Sequence, residues 1–159
     1  MNWIKNHSTS LLITGIVLLV AAAAVTLIMS QLQPTTVLHL GNGVFDARIA
    51  TTPTSRDKGL IGVASLGPQQ ALILAFPSDL AWPITMKDMK MTIDIVWLNK
   101  DKKVVYSVKN ASPDDSANGI FTPIAPARYV VELPDGTIED QRIQKGDTGV
   151  FDIKNEEVR

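Results

Sequence analysis

The sequence contains no cysteine and only two histidines among its 159 residues. Without cysteine there can be no disulfide framework, thiol nucleophile, iron–sulfur cluster or thiolate zinc site. His7 lies near the N-terminus, so His39 is the only later imidazole, and a pair of histidine metal ligands is excluded. A Ser-His-Asp triad would depend on His39, which lies in an apolar run typical of a strand. We therefore predict no metal site and no cofactor, and we assign no catalytic residue.

An excess of charge of one sign is also missing. The chain has 15 Lys and Arg residues against 16 Asp and Glu residues, a net charge of −1. Its densest basic stretch, Lys100-Asp101-Lys102-Lys103, has the composition of a polar turn. Nucleic-acid binding requires a basic stripe, so we predict no nucleic-acid partner. The length is that of one domain.

The longest apolar run covers residues 11–29 and contains no charged side chain. As a helix it would be about 28 Å long, close to the thickness of the hydrocarbon core of a bilayer. We predict a transmembrane signal anchor, because the run stays apolar beyond Ala22-Ala23-Ala24, where a cleaved signal would turn polar. A cleaved secretory signal is the first alternative. A buried core helix is the second, although such a helix normally has a polar face.

The charges that flank this run predict its orientation. Lys5 precedes it, and the first positive charge after it is Arg48. The positive-inside rule therefore predicts a cytoplasmic N-terminal tail, a single-pass cell-membrane protein and a domain outside the cytoplasmic membrane. The predicted parts are the tail 1–10, the anchor 11–29, a linker 30–35, a β-rich domain 36–153 and a charged tail 154–159. The membrane is one predicted partner, and a small molecule or an envelope protein is the other.

Alternating apolar residues and turn signals predict the elements of the domain. Strands are expected over residues 36–40, 44–50, 71–76, 91–98, 103–108, 128–133 and 148–153. Helices are expected after Thr52, as an N-cap before Pro53, and from Thr137 to Gln144. The predicted fold class is α+β and mainly antiparallel β. We expect a compact, partly closed β-barrel-like domain with two short helices, preceded by one N-terminal transmembrane helix.

Six short motifs between residues 44 and 153 occur in a recognisable order. They are Gly59-Leu60-Ile61-Gly62, Leu72-Ile73-Leu74-Ala75-Phe76, Ile84-Thr85-Met86-Lys87-Asp88-Met89, Thr92-Ile93-Asp94-Ile95, Tyr129-Val130-Val131-Glu132-Leu133 and Gly146-Asp147. This series resembles the bacterial and archaeal family catalogued as domain of unknown function 192, or uncharacterised protein family 0127. The resemblance implies a compact β-rich fold, often behind a signal or anchor, and no assigned activity. Thr85 and Asp88 stand where the family has tryptophan and asparagine, and Trp82 is a candidate replacement for the indole.

Polar side chains within these motifs predict a ligand pocket. The candidate ligand-binding residues are Met86, Lys87, Asp88, Asp94 and Glu132. In this hypothesis Lys87 attracts an anionic or hydroxylated ligand, and Asp94 fixes it through hydrogen bonds. In a structural alternative Asp94 caps a backbone turn or pairs with Lys87 or Arg128, while Asp88 and Glu132 are solvated.

The predicted function is a non-catalytic ligand-binding or protein-interaction module of the cell envelope. The alternative is a small envelope hydrolase that uses Asp88 and Asp94 as an acid/base pair. That chemistry requires carboxyl groups about 5–10 Å apart, with one held protonated by burial. A structural subunit of a membrane complex is a third hypothesis, favoured by an apolar patch beside Trp82. Asp114-Asp115 lacks the alternating spacing of a calcium loop, so a solvated loop is expected there.

Overall fold

The computed structural model describes residues 14, 17–19, 21, 33–114, 119–153 and 158–159. The chain divides into two compact units, Met1–Gln33 and Pro34–Arg159. In the first unit the described residues 14, 17–19 and 21 are helical. Within the described part of the chain, no helix is both long enough and apolar enough to span a bilayer. The tail 1–10, most of the anchor 11–29, the start of the linker, Asp115 and most of the tail 154–159 lie outside the described residues.

The second unit consists mainly of β-strands. The strands are β1 Thr35–Leu40, β2 Gly43–Ala50, β3 Gln70–Leu80, β4 Ile84–Thr85, β5 Ile93–Leu98, β6 Val104–Ala111, β7 Ile120–Phe121 and β8 Ala127–Pro134. The two helices among its described residues are α1 Pro53–Lys58 and α2 Thr137–Asp140. The predicted α+β class with mainly antiparallel strands is confirmed.

Six strands form one sheet in the order β1-β2-β3-β8-β5-β6, and β4 pairs with β7 in a separate two-stranded sheet. Neighbouring strands are antiparallel except β2 and β3, which are parallel and are connected through α1. A parallel pair needs such a crossover, which the sequence did not reveal. The sheet is not a closed barrel, because its edge strands β1 and β6 are not neighbours in this order. The predicted strand 148–153 is reduced to the isolated bridges Thr148–Lys103 and Val150–His39.

The predicted hairpin of β1 and β2 is confirmed, with a shorter turn than the three-residue connection expected. Leu40 pairs with Gly43, so only Gly41 and Asn42 lie between the strands. Gly41 has φ +58°, and a Cβ atom there would come within 2.4 Å of the Gln141 carbonyl oxygen. Glycine is therefore required both by the backbone conformation and by the close approach of another chain segment.

Strand β3 continues past Pro77, where the sequence predicted its end. Residues 72–75 pair with β8, and the pairing becomes irregular between Ala75 and Leu80. Pro77 lies in this irregular part and is exposed. A proline is tolerated there because the irregular pairing does not use the N–H group that proline lacks, whereas a regular ladder would.

The two helices begin in different ways. Thr52 caps α1 as predicted: its hydroxyl accepts the Ser55 N–H at 3.2 Å, and the Ser55 hydroxyl accepts the Thr52 N–H at 3.0 Å. In α2 the N-cap is Gly136 rather than a residue with a capping side chain. Thr137 is a buried first helical residue, and the helix ends at Asp140 instead of Gln144.

Apolar residues cover both faces of the large sheet. The face here called the α2 face carries Val96, Leu133 and Ile138. The opposite face, here called the α1 face, carries Leu72, Ile95 and Trp97, together with residues from β4 and from the turn after α1. Strand β5 is buried on both faces, which explains its nearly continuous apolar sequence.

Candidate functional site

The predicted site residues Asp94 and Glu132 lie on opposite faces of the sheet. Ile95 is the cross-strand partner of Glu132, and cross-strand partners share a face, so Glu132 is on the α1 face. Successive strand residues alternate between faces, so Asp94 is on the α2 face. The two carboxyl groups therefore do not line one pocket.

Asp94 accepts hydrogen bonds from the backbone and does not line the pocket described below. Its side chain is 0% exposed. Its Oδ1 atom accepts the Asn110 N–H at 2.8 Å, and its Oδ2 atom accepts the Ile138 N–H at 2.6 Å. Asn110 has φ 52°, and Ile138 lies at the beginning of α2. Asp94 thus has the turn-capping role of the structural alternative, and it supplies the side-chain acceptor that the α2 N-cap lacks.

The motif around Met86 places its polar side chains in solvent. Met86 is buried in the core of the α1 face, whereas Lys87 and Asp88 are exposed. The Thr85 hydroxyl accepts the Lys87 N–H at 3.1 Å, and Asp88 has φ 61°. Arg128 pairs with Asp79, and not with Asp94 as the structural alternative allowed. Of the five predicted site residues, only Glu132 lines the pocket described next.

A pocket of about 560 Å³ opens on the α1 face. It is lined by Pro53, Arg56, Asp57, Lys58, Gly59, Leu60, Ile61, Leu74, Phe76, Trp82, Pro83, Ile84, Thr85, Met89 and Glu132. Sequence reasoning missed the contribution of α1, which comes over this face only because β2 and β3 are parallel. The Gly59-Leu60-Ile61-Gly62 motif was the available signal, since its first residue lies against Glu132.

Glu132 is buried in this pocket with one carboxyl oxygen, Oε2, unpaired among the described residues. It is 4% exposed, and its Oε2 atom has no hydrogen bond to any described residue. Leu72 and Ile95 flank it on the neighbouring strands, and a Cβ atom at Gly59 would lie 3.9 Å from Oε2. Burial raises the pKa of Glu132 to about 7, against a smaller opposing effect of Arg48. The expectation that Glu132 is solvated is therefore wrong.

Arg56 fixes α1 to the sheet at the side of the pocket. Its guanidinium donates to the carbonyl oxygens of Thr51 and Ala75, each at 2.8 Å, and to that of Arg159 at 2.7 Å. The guanidinium carbon also lies 5.1 Å from the centre of the Phe76 ring. Burial lowers the pKa of Arg56, and nearby Asp57 opposes this shift. Arg56 thus places a positive charge at one side of the pocket, and its guanidinium already donates hydrogen bonds to main-chain oxygens.

A second wall of the pocket is aromatic. Trp82 stacks on Phe76 with ring centres 4.2 Å apart and planes 13° apart. The Trp82 indole N–H donates to the Ser78 carbonyl at 3.0 Å, and the indole N–H of buried Trp97 donates to the Trp82 carbonyl at 2.9 Å. These bonds hold the stacked pair in place, so the aromatic wall is preformed. Phe76 has Trp82 on one face and the Arg56 guanidinium 5.1 Å from its ring centre, which leaves the face of Trp82 that is turned away from Phe76 for a ligand.

The described residues contain no group of three or more histidine, aspartate or glutamate side chains that could hold a metal ion. Four ionisable side chains line the pocket: Arg56, Asp57, Lys58 and Glu132. What the pocket offers chemically is an apolar and aromatic surface with one buried carboxyl group.

Known proteins share both the sequence pattern and the fold. The family model DUF192, described as "Uncharacterized ACR", matches residues 36–151. A UPF0127 protein of Thermococcus gammatolerans is 31% identical over 105 residues, which cover 66% of this chain and 65% of that protein, so less than two thirds of the relative is matched.

Two solved structures resemble the chain in fold. One is a proposed transcription regulator from Sinorhizobium meliloti 1021, with a TM-score of 0.70, 21% identity and coverage of 75% of this chain and 95% of that one. The other is a protein of unknown function from Novosphingobium aromaticivorans DSM 12444, with a TM-score of 0.67, 22% identity and coverage of 74% and 84%. At these identities the similarity concerns the fold alone.

Proposed function

Because the chain belongs to the DUF192 family of uncharacterised proteins, we propose its function from its own pocket: a membrane-anchored, extracytoplasmic module that binds a small, largely apolar ligand without converting it. The pocket volume of about 560 Å³ falls in the range of small-molecule sites. Its lining is mainly apolar and contains few polar groups, which is also typical of such sites.

The Oε2 atom of buried Glu132, unpaired among the described residues, carries this proposal. A buried polar group without a hydrogen bond is destabilising, and the cost is larger if the group ionises. The opposite face of the same sheet shows the usual solution, since both oxygens of buried Asp94 accept backbone N–H groups. A ligand that donates a hydrogen bond to Glu132 would provide the same compensation. Ionisable groups whose pKa is strongly shifted by burial in a cleft cluster at functional sites.

The hydrolase alternative has less support. It needs Asp88 and Asp94 to act on one substrate, whereas Asp88 is exposed and both oxygens of Asp94 are engaged with backbone. Glu132 has the elevated pKa of a general acid, but a glycosidase also needs a second carboxylate positioned across the scissile bond, and the other acidic side chain of the lining, Asp57, is exposed. Binding requires only the features already present in the pocket.

The cellular setting belongs to the same proposal. The uncharged run 11–29 and the position of Lys5 before it favour an anchor with the second unit outside the cytoplasmic membrane. In that setting the pocket would be accessible to compounds of the cell envelope.

Binding is tested by NMR with the full chain labelled at its tryptophan indoles. The chain has three tryptophans, so Trp82 at the pocket can be compared with Trp3 and with buried Trp97. The probes are 4-fluorotoluene and 4-methylphenol, both small enough for the pocket. We expect a saturable shift of the Trp82 indole signal with little change at Trp3.

Two matched variants locate the binding site. Ile61 lines the pocket and is 41% exposed, so Ile61→Trp should fill the opening and abolish the shift. Ile124 is 80% exposed and is not among the lining residues, so Ile124→Trp should leave the shift unchanged. The proposal is contradicted if neither probe shifts Trp82, or if both variants behave alike.

A further inference from the structure

The charges around the pocket restrict what its ligand can be. Arg56 and Lys58 line it, and Arg48 lies close enough to affect the carboxyl group of Glu132. Asp57 is the only other acidic side chain in the lining. A cationic ligand would therefore be repelled by several positive groups. An anionic ligand that reached Glu132 would meet a like charge in a poorly solvated site. The arrangement favours a ligand that is neutral at the end that meets Glu132.

The aromatic wall restricts the shape of the ligand. Trp82 and Phe76 are stacked with their planes 13° apart, and hydrogen bonds on either side of Trp82 hold them there. A flat ring gains dispersion and offset-stacking energy against the face of Trp82 that Phe76 leaves uncovered. A compact polar ligand would leave most of this wall uncovered.

The hydrogen-bonding capacity of Glu132 restricts the polar group of the ligand. An ionised carboxylate only accepts, whereas a protonated carboxyl also donates. With its pKa raised to about 7, the group populates both forms near neutral pH. A hydroxyl group can donate to the first form and accept from the second, whereas an ammonium group can only donate and an ether can only accept.

We propose that the pocket binds a neutral hydroxylated aromatic compound, with its hydroxyl group hydrogen-bonded to the buried carboxyl of Glu132 and its ring against Trp82, on the face that Phe76 leaves uncovered. This inference rests on the proposed binding function and names the class of ligand. No covalent step is involved.

Three probes of similar size test the ligand class: 4-methylphenol, 4-fluorotoluene and 4-methylbenzylamine, which is protonated at neutral pH. Affinities are measured on the full chain by the Trp82 indole shift. A hydrogen bond to an ionisable partner in a buried site should make 4-methylphenol bind roughly tenfold or more tightly than 4-fluorotoluene. The protonated amine should bind more weakly than the phenol.

Substitution of Glu132 shows whether the preference comes from this carboxyl group. In Glu132→Leu we expect 4-methylphenol and 4-fluorotoluene to bind equally. Glu132→Gln keeps the side-chain size and one acceptor, so it should retain a smaller preference and serves as the second variant if the leucine is poorly packed. The Trp97 indole signal reports whether each variant retains the native core, because Trp97 is 0% exposed.

The outcomes separate the two proposals. Equal affinity of the phenol and 4-fluorotoluene for the unmodified protein would overturn the ligand class while leaving the binding pocket intact. Tightest binding of the amine would overturn the charge argument and with it the ligand class. A phenol preference that survives in Glu132→Leu would assign the hydroxyl contact to another residue and overturn the inference. Failure of all three probes would overturn the proposed function as well.

Discussion

At the scale of single residues, the buried carboxyl group of Glu132 destabilises the fold when it is ionised, and its unpaired oxygen can accept a hydrogen bond from a ligand. Its carboxyl group is covered by Gly59 and lies between Leu72 and Ile95, with Oε2 unpaired among the described residues. The ionised form is the costly one, because burial removes water and Arg48 compensates only in part. The other charged groups at this pocket are Arg56, Asp57 and Lys58. Protonation of Glu132 should therefore stabilise the folded unit.

We predict that Glu132 makes stability fall with rising pH over the window between its unfolded and folded pKa values. Between the ordinary value of 4.5 and the folded value of about 7, the folded chain keeps a proton that the unfolded chain has released. This difference amounts to a loss on the order of 3 kcal/mol as the pH rises through the window. Urea unfolding at about pH 4.5 and about pH 8 measures it.

Glu132→Gln is the matched control, because it preserves shape but cannot ionise. The variant should lose this part of the pH dependence and gain stability mainly at the alkaline end. Parallel pH profiles for the two proteins would show that the pKa of Glu132 is not raised by burial.

At the scale of elements, Asp94 joins three of them. It lies in β5, and its carboxylate accepts hydrogen bonds from the backbone N–H groups of Asn110 in β6 and Ile138 in α2. A helix of four residues has little stability of its own, so α2 depends on such contacts. The same carboxylate holds Asn110 at φ 52°, a conformation that asparagine tolerates better than most residues.

We predict that Asp94→Asn destabilises the second unit by about 2–4 kcal/mol, because one side-chain oxygen is replaced by a donor that faces a backbone N–H. Amide hydrogen exchange should increase first at Ile138 and Asn110. Asp46→Asn is the control, since Asp46 is an exposed strand residue and its substitution should change stability by less than about 0.5 kcal/mol. Equal effects of the two substitutions would exclude the bridging role of Asp94.

Elements that depend on nearby residues could be predicted from the sequence, and those that depend on distant pairing could not. The β1–β2 hairpin and the α1 capping box each involve residues a few positions apart. The parallel pairing of β2 with β3 depends on where α1 crosses, which no short pattern specifies. The separation of Asp94 from Glu132 depends on the register of β5 against β8. A shift of one residue would have placed them together, so the site could not be assembled from its motifs alone.

At the scale of the whole molecule, the proposed location of the pocket depends on the N-terminal run. We predict that the full chain sediments with membranes and resists carbonate extraction. Leu18→Arg combined with Leu19→Arg places two charges near the middle of residues 11–29, at a cost of about 3 kcal/mol each in a bilayer. This double variant should lose membrane insertion.

Leu18→Ala combined with Leu19→Ala is the corresponding control, because it leaves the run uncharged, and it should still fractionate with membranes. Protease added to one side of the membrane reports the orientation. It should digest the second unit when it is added outside and leave this unit intact when it is added inside. Extraction of the unmodified chain by carbonate would contradict the anchor, and protection of the second unit from outside would contradict its orientation.

The sheet order also has a consequence for how the chain is made. β8, the last of the eight strands among the described residues, occupies an interior position between β3 and β5. The β1–β2–β3 and β5–β6 parts of the sheet are therefore joined only after residues 127–134 have emerged from the ribosome. Such long-range pairing slows folding, so the complete sheet forms only when synthesis of this unit is nearly complete. A chain whose sheet is completed this late lacks its full fold for most of its synthesis, and an incompletely folded chain can still pass through a narrow channel.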